Sequence, residues 1–552
     1  MGKSLFYRWF QYIVGPVGLA VCCGCGQNEG APAQQSSGFV QLVAWAPPEP
    51  TPAPPRPRLT RSPVAPAVTE EFTGESPAEQ TVKANGKKVG HPAKPHQEQQ
   101  EELAPLFVGW EKPQAILVLT GEQNGYIEPC GCAGLENMKG GLGRRHHLLT
   151  ELQGKGWPLA AFDVGGQIHR TGPQSEVKFT STVSALQTMQ YSGVALGAKD
   201  LKLPTGDLVS LAADPKSAFV SANVGLFGLD SGLTPKFRVI KVGQRKIGVT
   251  SILGLEYQKQ LNSTDLEFAD PAKALREVLP KLKQQADFLI LLSHATQAES
   301  EALAKAFPDF QAVVTADSKP VQPAEAKRIG ETYFLEVGQK SMHVTVLGLF
   351  DDAQQPVRYQ RVPLDRRYQV TASMKQMMTE YQEHLRLRGF DGLGLKPLPV
   401  SGGRKFVGSQ ACADCHTKAN EIWKATPHAH AIDTLVKLEP ARHFDPECLS
   451  CHVVGWRPQQ FDILASGYLS LEKTPHLVGV GCESCHGPGS AHVAAENGDV
   501  DVTQDQLLKL RSQMILTYEQ AERHCLQCHD LDNSPSFNFK NYWPHVEHKG
   551  KD

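Results

Sequence analysis

Four segments in the last quarter of the chain repeat the pattern Cys-x-x-Cys-His: Cys412-Ala413-Asp414-Cys415-His416, Cys448-Leu449-Ser450-Cys451-His452, Cys482-Glu483-Ser484-Cys485-His486 and Cys525-Leu526-Gln527-Cys528-His529. Two thiols at this spacing add across the two vinyl groups of one porphyrin, and the adjacent imidazole reaches the iron as proximal ligand. A single such segment would also suit a zinc site or a redox cysteine pair. Four within about 120 residues, each followed by His, point to four covalently attached haem c groups and to electron transfer. Of the 20 histidines, 12 lie between residues 404 and 552, more than the proximal ligands require. The excess matters because an iron that relays electrons takes a second axial ligand.

These motifs sit in a chain of 552 residues, long enough for two or three domains. The formal charge of −2 gives no global pull toward nucleic acid or anionic lipid, so no nucleic-acid partner is expected. Residues 1–25 read as a signal peptide. Lys3 and Arg8 supply its positive end, and the apolar stretch 12–21 is too short for an ordinary transmembrane helix. Leu19-Ala20-Val21-Cys22 resembles a bacterial lipoprotein cleavage box with Cys22 as the lipidated residue, although Val21 stands where a small residue is usual. A plain secretory signal and an uncleaved anchor are the alternatives. All three place the rest of the chain outside the cytoplasmic membrane, in the periplasm, with membrane contact only through the N-terminus. Haem attachment to Cys-x-x-Cys-His takes place there too in bacteria.

Residues 26–113 read as a disordered tether: Pro47, Pro48, Pro50, Pro52, Pro54, Pro55 and Pro57 favour extended segments, and the Glu/Gln/Lys-rich run after them is too poor in apolar residues for a core. From residue 114 to 388 the texture changes. Buried strands are expected at 115–120, 159–164, 218–223, 246–252, 288–293 and 312–315, and helices at 143–153, 181–191, 272–285 and 297–307. Late strands at 343–350 and 357–363 and a closing helix at 373–387 complete a layered α/β domain. Residues 389–403 read as a Gly-rich linker, and 404–552 as a mainly helical or irregular module in which porphyrins form most of the core.

The motif surroundings carry more information than the motifs. Phe406-Val407-Gly408-Ser409-Gln410 precedes the first; Trp423 and Thr426-Pro427-His428-Ala429-His430-Ala431 follow it. Asp445-Pro446-Glu447 precedes the second, Gly479-Val480-Gly481 the third, Gly487-Pro488-Gly489-Ser490-Ala491-His492 follows the third, and Tyr542-Trp543-Pro544-His545-Val546-Glu547-His548 follows the fourth. Together these resemble the tetrahaem cytochrome c family that includes the electron acceptor of hydroxylamine oxidoreductase, over roughly residues 404–552. The resemblance implies distal ligands: His428 for the haem on Cys525 and Cys528, His492 for the first haem, and His548 for the third. It supplies no partner for the second haem, on His452, which in the family is often five-coordinate and open to a small molecule such as nitric oxide; His443 and His476 are the residues that could close it. His430, His524 and His545 are expected at the surface or against haem propionates. Redox proteins are the expected donor and acceptor.

In the middle domain, the strand at 115–120 leads into Gly121-Glu122-Gln123-Asn124, followed by Phe162-Asp163-Val164-Gly165-Gly166, Ala198-Lys199-Asp200, Ser221-Ala222-Asn223-Val224 and Ser293-His294. Order and spacing look like the calcineurin-type metallophosphoesterase fold of periplasmic 5′-nucleotidases and the thiosulfate-oxidation hydrolase, over roughly residues 114–365. An active member holds two metals that clamp the attacking and leaving oxygens. Here the strand-one pair reads Glu122-Gln123-Asn124, Gly166 replaces the bridging Asp while Asp163 remains, Ala198-Lys199-Asp200 replaces the Asn-His pair, His294 survives, and Ala316-Asp317-Ser318 replaces the terminal Gly-His-x-His. The resemblance therefore implies a degenerate, non-hydrolytic domain. Cys130 and Cys132 could bind a further soft metal or carry redox chemistry, or form a local disulfide. His146 and His147 could assist them or be solvated, and Arg144 and Arg145 are expected to meet an anion or face solvent. The leading reading is a tethered electron carrier. A bifunctional redox enzyme and a metal-dependent phosphoesterase with a haem appendage are the alternatives.

Overall fold

The computed structural model describes residues 103–129, 138–318, 323–530 and 533–551. The expected signal peptide with Cys22, most of the tether, and Cys130 and Cys132 lie outside the described residues.

Strand β1 (Ala115–Thr120) is buried along its whole length, which is why its sequence is a continuous apolar run without alternation. It lies at the centre of a five-stranded sheet, parallel to β2 (Leu159–Asp163) and antiparallel to His343–Leu349, with Ile116 opposite Leu159 and Thr120 opposite Asp163. Gly193–Val194 and Val357–Pro363 form the edges. A second sheet of six strands runs in the order Lys327–Ile329, Thr332–Glu336, Ala312–Thr315, Phe288–His294, Arg245–Leu253, Arg238–Val242. Its four inner strands are parallel and its two edges antiparallel. Leu117, Leu119 and Phe162 of the first sheet pack on Val249, Ile290 and Val314 of the second. The outer face of the first sheet is covered by α1 (Leu142–Gly154), α2 (Pro173–Thr188) and the helix Ala372–Gly392; that of the second by Pro271–Gln285 and Gln297–Ala306. The result is a helix–sheet–sheet–helix stack, the layered α/β architecture expected. Parallel strands bring the ends of β1 and β2 and of Phe288–His294 to one side, where their loops form a shared cleft.

Four expectations need correction. The tether does not reach residue 113: Phe107 is buried, with its ring 5.0 Å from Trp110 and 5.6 Å from Trp157, and Trp110 lies 5.4 Å from Phe350. The helix expected at 181–191 begins at Pro173, where proline suits the first turn because its missing N–H has no helical acceptor. Residues 218–223 are not a strand: Phe219 makes only an isolated bridge to Val194, the N–H groups of Val220, Ser221 and Ala222 turn to three different carbonyls, of Val194, Pro235 and Ser251, and side chains add to these, Ser251 Oγ donating to the Val220 carbonyl at 2.6 Å and Asn223 bonding both the N–H and the carbonyl of Leu253 at 2.9 Å. The segment read as a linker at 389–403 is packed. The helix breaks at Gly389 (φ 59°, ψ −179°) and a further helical turn runs to Gly392, and Leu398 exchanges backbone hydrogen bonds with Ile463 and Ala465 at 2.9 and 2.7 Å.

The C-terminal region consists of short helices, among them Thr417–Lys424, Pro446–His452, Cys482–His486 and Tyr518–Cys525, around a small core of Phe406, Leu449, Val454, Trp456, Ile463, Tyr468 and Leu477. Among the described residues no helix is long and apolar enough to cross a membrane. The Phe107–Trp110–Trp157 cluster yields a stability test. Phe107→Ala is expected to cost about 3 kcal/mol, read as a lower urea midpoint by far-ultraviolet circular dichroism; an unchanged midpoint would show that residues 103–113 are not part of the folded domain.

Candidate functional site

Each haem-attachment motif lies on or at the end of a short helix, and helical geometry puts cysteines three apart on one face with the His beside them. The second motif is within Pro446–His452, capped by Asp445, whose side chain accepts from the Glu447 N–H at 3.0 Å; the fourth ends Tyr518–Cys525, opened by a Thr517–Gln520 capping box. None of the eight motif cysteines is in a disulfide. The thiols of Cys412 and Cys482 touch, as do those of Cys451 and Cys528, so the first motif adjoins the third and the second adjoins the fourth.

Three proximal histidines face the three distal candidates. Ring centroids are 6.4 Å apart for His416 and His492, 6.0 Å for His529 and His428, and 5.7 Å for His486 and His548. An imidazole nitrogen sits about 2 Å from a metal it ligates, so trans imidazoles on one ion have their centroids roughly 6 Å apart. The spacing suits an iron between each pair. The rings are also aimed. His452 Nδ1 bonds the Ala431 carbonyl at 2.7 Å, His486 Nδ1 the Met514 carbonyl at 2.6 Å, His529 Nδ1 the Ser534 hydroxyl at 2.9 Å and His548 Nδ1 the Val546 carbonyl at 2.9 Å. A proton held on Nδ1 leaves Nε2 as the coordinating atom. Burial, with His529 and His452 nearby, lowers the His428 pKa to about 4, which keeps it in the neutral form that binds metal.

Buried polar ties hold the segments together. The carboxylate of Glu483, inside the third motif, accepts from the N–H groups of Val407, Gly408 and Gly489 at 2.7–3.0 Å and so joins the approach to the first motif to the third. Trp423 Nε1 donates to the Val480 carbonyl at 2.8 Å, and Val480 N–H to the His428 carbonyl at 2.9 Å, which presents His428. The main-chain acceptors of the histidine Nδ1 atoms went unforeseen because a carbonyl has no sequence signature; Glu483 is readable only as an acidic residue within its motif. Of the other histidines, His430 is exposed with Asp433 at 3.8 Å, His524 Nε2 bonds the Ser484 carbonyl, and His545 is exposed. His443 is half-buried with its ring edge on Phe444, and His476 is exposed beside Gly408, ahead of the first motif.

At the strand ends of the α/β domain the expected residues come together, but their polar atoms are engaged with the protein. Glu122 fills the space in front of Gly166, where an added Cβ would lie 2.3 Å from Oε1. The larger carboxylate after β1 thus excludes a side chain at the bridging position. His294 donates from Nδ1 to the Val164 carbonyl at 2.9 Å and accepts at Nε2 from the Ala198 N–H at 3.0 Å, so both ring nitrogens are used. Burial lowers its pKa to about 4. Asp200 accepts four backbone N–H bonds, from Gly166, Gln167, Ile168 and Gly197, at 2.9–3.2 Å; burial still raises its pKa to about 6. Asp163 bonds Thr120, Gly165 and Gln167 at 2.6–2.9 Å. Asp317 accepts from the Gln297 N–H, and Ser318 donates to the Gly338 carbonyl. Lys199 is exposed, its Nζ 3.3 Å from His169 Nδ1. Among the described residues no group of three or more His, Cys, Asp or Glu is placed to hold a metal ion.

Burial raises the Glu122 pKa to about 8, against a favourable bond from Asn124. Its 4.0 Å approach to His294 Nδ1 is therefore a contact of two neutral groups at pH 7, not an ion pair. The arginines depart from expectation. Arg145 is fully buried against Asp163 at 3.7 Å, with further bonds to Gln123 and Ser341, and buried Arg144 bonds the carbonyls of Met138 and Leu364. Both serve the interior, because α1 turns their face inward. His146 and His147 bond the segment entering the closing helix, at Thr371, Ser373 and Gln369.

A c-type haem-binding region with imidazoles paired across a metal-sized gap, joined to a layered α/β domain, is what fold and site define. Its residues 411–487 match the family described as cytochrome c554 and c-prime, a span that takes in the first three motifs. Over 97 residues the chain is 38% identical to cytochrome c-554 of Nitrosomonas europaea, covering 15% of this chain and 39% of that protein, so it spans about two-fifths of the curated relative's length. The family's cofactor is covalently bound haem c. In shape the chain is similar to a 5′-nucleotidase precursor from Thermus thermophilus (TM-score 0.43, 18% identity, 50% of this chain and 59% of that one). A sulfate thiohydrolase from the same organism is similar to the same degree (TM-score 0.43, 13% identity, 51% and 62%). These scores describe likeness of shape only, and the α/β assignment rests on the sheet order itself.

The cleft yields a pH test. Because the folded-state pKa of Glu122 lies above its ordinary value of 4.5, the native state keeps a proton that the unfolded chain releases. The residue therefore costs stability from about pH 4.5 upward, with the cost complete above about pH 8. Glu122→Gln is expected to match the parent near pH 4 and to exceed it near pH 8.5, on the order of a few kcal/mol. Urea unfolding at both pH values measures the difference, and a gap independent of pH would rule out the raised pKa.

Proposed function

We propose that the chain is an extracytoplasmic electron carrier with four haem c groups, exchanging electrons with a redox-protein donor and acceptor, and that its α/β domain is non-hydrolytic. The observation that carries this reading is the set of three imidazole pairs at 5.7–6.4 Å, each made of one motif histidine and one distal candidate. In this reading Cys412, Cys415, Cys448, Cys451, Cys482, Cys485, Cys525 and Cys528 hold the porphyrins. His416 with His492, His486 with His548, and His529 with His428 ligate three irons, and His452 ligates the fourth. Haem, when bound, would supply a reversible one-electron couple, and the paired imidazoles would be the residues that hold its iron. The family likeness assigns no distal histidine to the His452 haem, and a small molecule such as nitric oxide is the ligand assigned there. The export signal supports a periplasmic place, with Cys22 as the membrane anchor.

The engaged nitrogens of His294 and the four backbone bonds on Asp200 support the absence of hydrolysis, since a two-metal mechanism needs those atoms as ligands. The bifunctional reading rests on the open face of the His452 haem and on Cys130 and Cys132, which lie outside the described residues.

Two experiments test the proposal. His428→Ala in the full holoprotein is expected to convert one haem, that on Cys525 and Cys528, from low to high spin. Electron paramagnetic resonance of the oxidised protein reads this, and an unchanged spectrum would remove His428 from the ligand set. Purified holoprotein given manganese and a nucleoside monophosphate is expected to release no phosphate above a metal-free control. Sustained turnover that a chelator abolishes would make the chain a phosphoesterase with a haem module.

A further inference from the structure

The helix Pro446–His452, which carries Cys448, Cys451 and His452, is held at its first turn by two helices of the α/β domain. From α2, Lys178 Nζ lies 2.6 Å from both carboxylate oxygens of Glu447, and Gln174 Nε2 donates to Asp445 Oδ1 at 3.0 Å. From Ala372–Gly392, Gln382 Nε2 donates to Asp445 Oδ2 at 2.7 Å, and Tyr381 joins the two helices by accepting from Gln174 at 3.1 Å. Asp445 is the cap of the haem-bearing helix, so the atoms that start this helix are the atoms the α/β domain grips. The Lys178 side chain is 8% exposed and that of Glu447 37%. Arg442, just before the helix, pairs with Glu128. Among the motif segments this one has its first turn built from the other domain's side chains.

We propose that the α/β domain positions and electrostatically tunes the haem on Cys448 and Cys451, with Lys178 acting through Glu447 as the positioning residue. The inference rests on the electron-carrier reading above. A cation next to one carboxylate cancels its charge; removing Glu447 leaves Lys178 uncompensated in a poorly solvated place, whereas removing Lys178 bares a Glu447 carboxylate that water partly screens, so the second effect is the smaller. The sign at a nearby iron follows. Without Lys178, the bare Glu447 carboxylate favours the ferric state and lowers the potential; without the Glu447 charge, the Lys178 ammonium favours the ferrous state and raises it.

Spectropotentiometric titration of the full-length holoprotein tests this with Lys178→Met, Glu447→Gln, the double variant and Lys178→Arg. One couple is expected to fall in Lys178→Met and to rise in Glu447→Gln. The rise should be of the order of tenfold in the oxidised-to-reduced ratio at fixed solution potential, or about 59 mV for one electron, and the fall smaller. The double variant and Lys178→Arg should lie close to the parent, with the remaining couples unmoved throughout. Simple loosening of the helix would shift both single variants the same way. Shifts of one sign, or no shift with haem content intact, would overturn the inference alone. A parent that takes up no haem at Cys448 and Cys451 would overturn both this inference and the assignment of that haem.

Discussion

Three pairs of imidazoles, each drawn from two otherwise unrelated pieces of chain, stand at the spacing that one shared metal ion would set, and the C-terminal region is organised around that spacing. Its paired rings stand 5.7–6.4 Å apart, a spacing suited to a metal between them. The segments that carry them are separated by 62 to 101 residues and have few apolar side chains with which to find one another. What fixes them is polar: the Glu483 carboxylate with its backbone donors, the Trp423 indole on Val480, and the carbonyls that hold Nδ1 of His452 and His486. A small side-chain core, from Phe406 to Leu477, sits beside this arrangement and does not fill it. A region built this way depends on its cofactors for most of its close packing.

The α/β cleft shows the opposite economy. Here ligand-type residues remain while the space and lone pairs a metal would need are taken by the protein. Glu122 occupies the place of a side chain at Gly166, Ala198 N–H holds His294 Nε2, and a nest of backbone N–H groups surrounds Asp200. Burial pushes the two carboxyls up to about 8 and about 6 and the imidazole down to about 4, each toward its uncharged form. Asp200, at about 6, keeps its charge at pH 7 on four backbone donors, and the buried charges of Arg145 and Asp163 offset one another. The loops that would form a catalytic centre are thus stabilised as structure.

How much of this was legible in the sequence depends on the range of each interaction. The six-residue run at 115–120 and the strand at 312–315 match their observed bounds, because a buried parallel strand is an unbroken apolar run. The motifs were legible because covalent chemistry dictates their spacing. The distal candidates were separable from His430, His524 and His545 only through a family resemblance carried by neighbouring residues such as Trp423, since spacing alone ranks them equally. Residues 218–223 were misleading: Val220 and Ala222 are buried as a strand's would be, yet the backbone N–H groups turn to three different carbonyls, and Ser251 and Asn223 add side-chain bonds. Arg144 and Arg145 read as surface residues because their acceptors, Leu364 and Ser341 among them, are some 200 residues away.

The junction between the domains is the least legible part and the one that gives the α/β domain a reason to be there. Lys178 falls outside the helix expected at 181–191 and nothing local marks it or Gln174 as a partner of Glu447 and Asp445; the pairings join residues 63 to 271 positions apart. Such a contact is a poor source of stability, since the desolvation of buried polar groups offsets most of what their pairing returns. Its value lies in geometry. Asp445 has two carboxylate oxygens, one turned to Gln174 and the other to Gln382, so the helix start is fixed from two directions at once. Both donors stand on helices packed against the first sheet, and the sheet is itself packed on a second. A two-sheet body thereby holds the segment that bears the second Cys-x-x-Cys-His motif, a precision that the small side-chain core of the C-terminal region could not provide on its own.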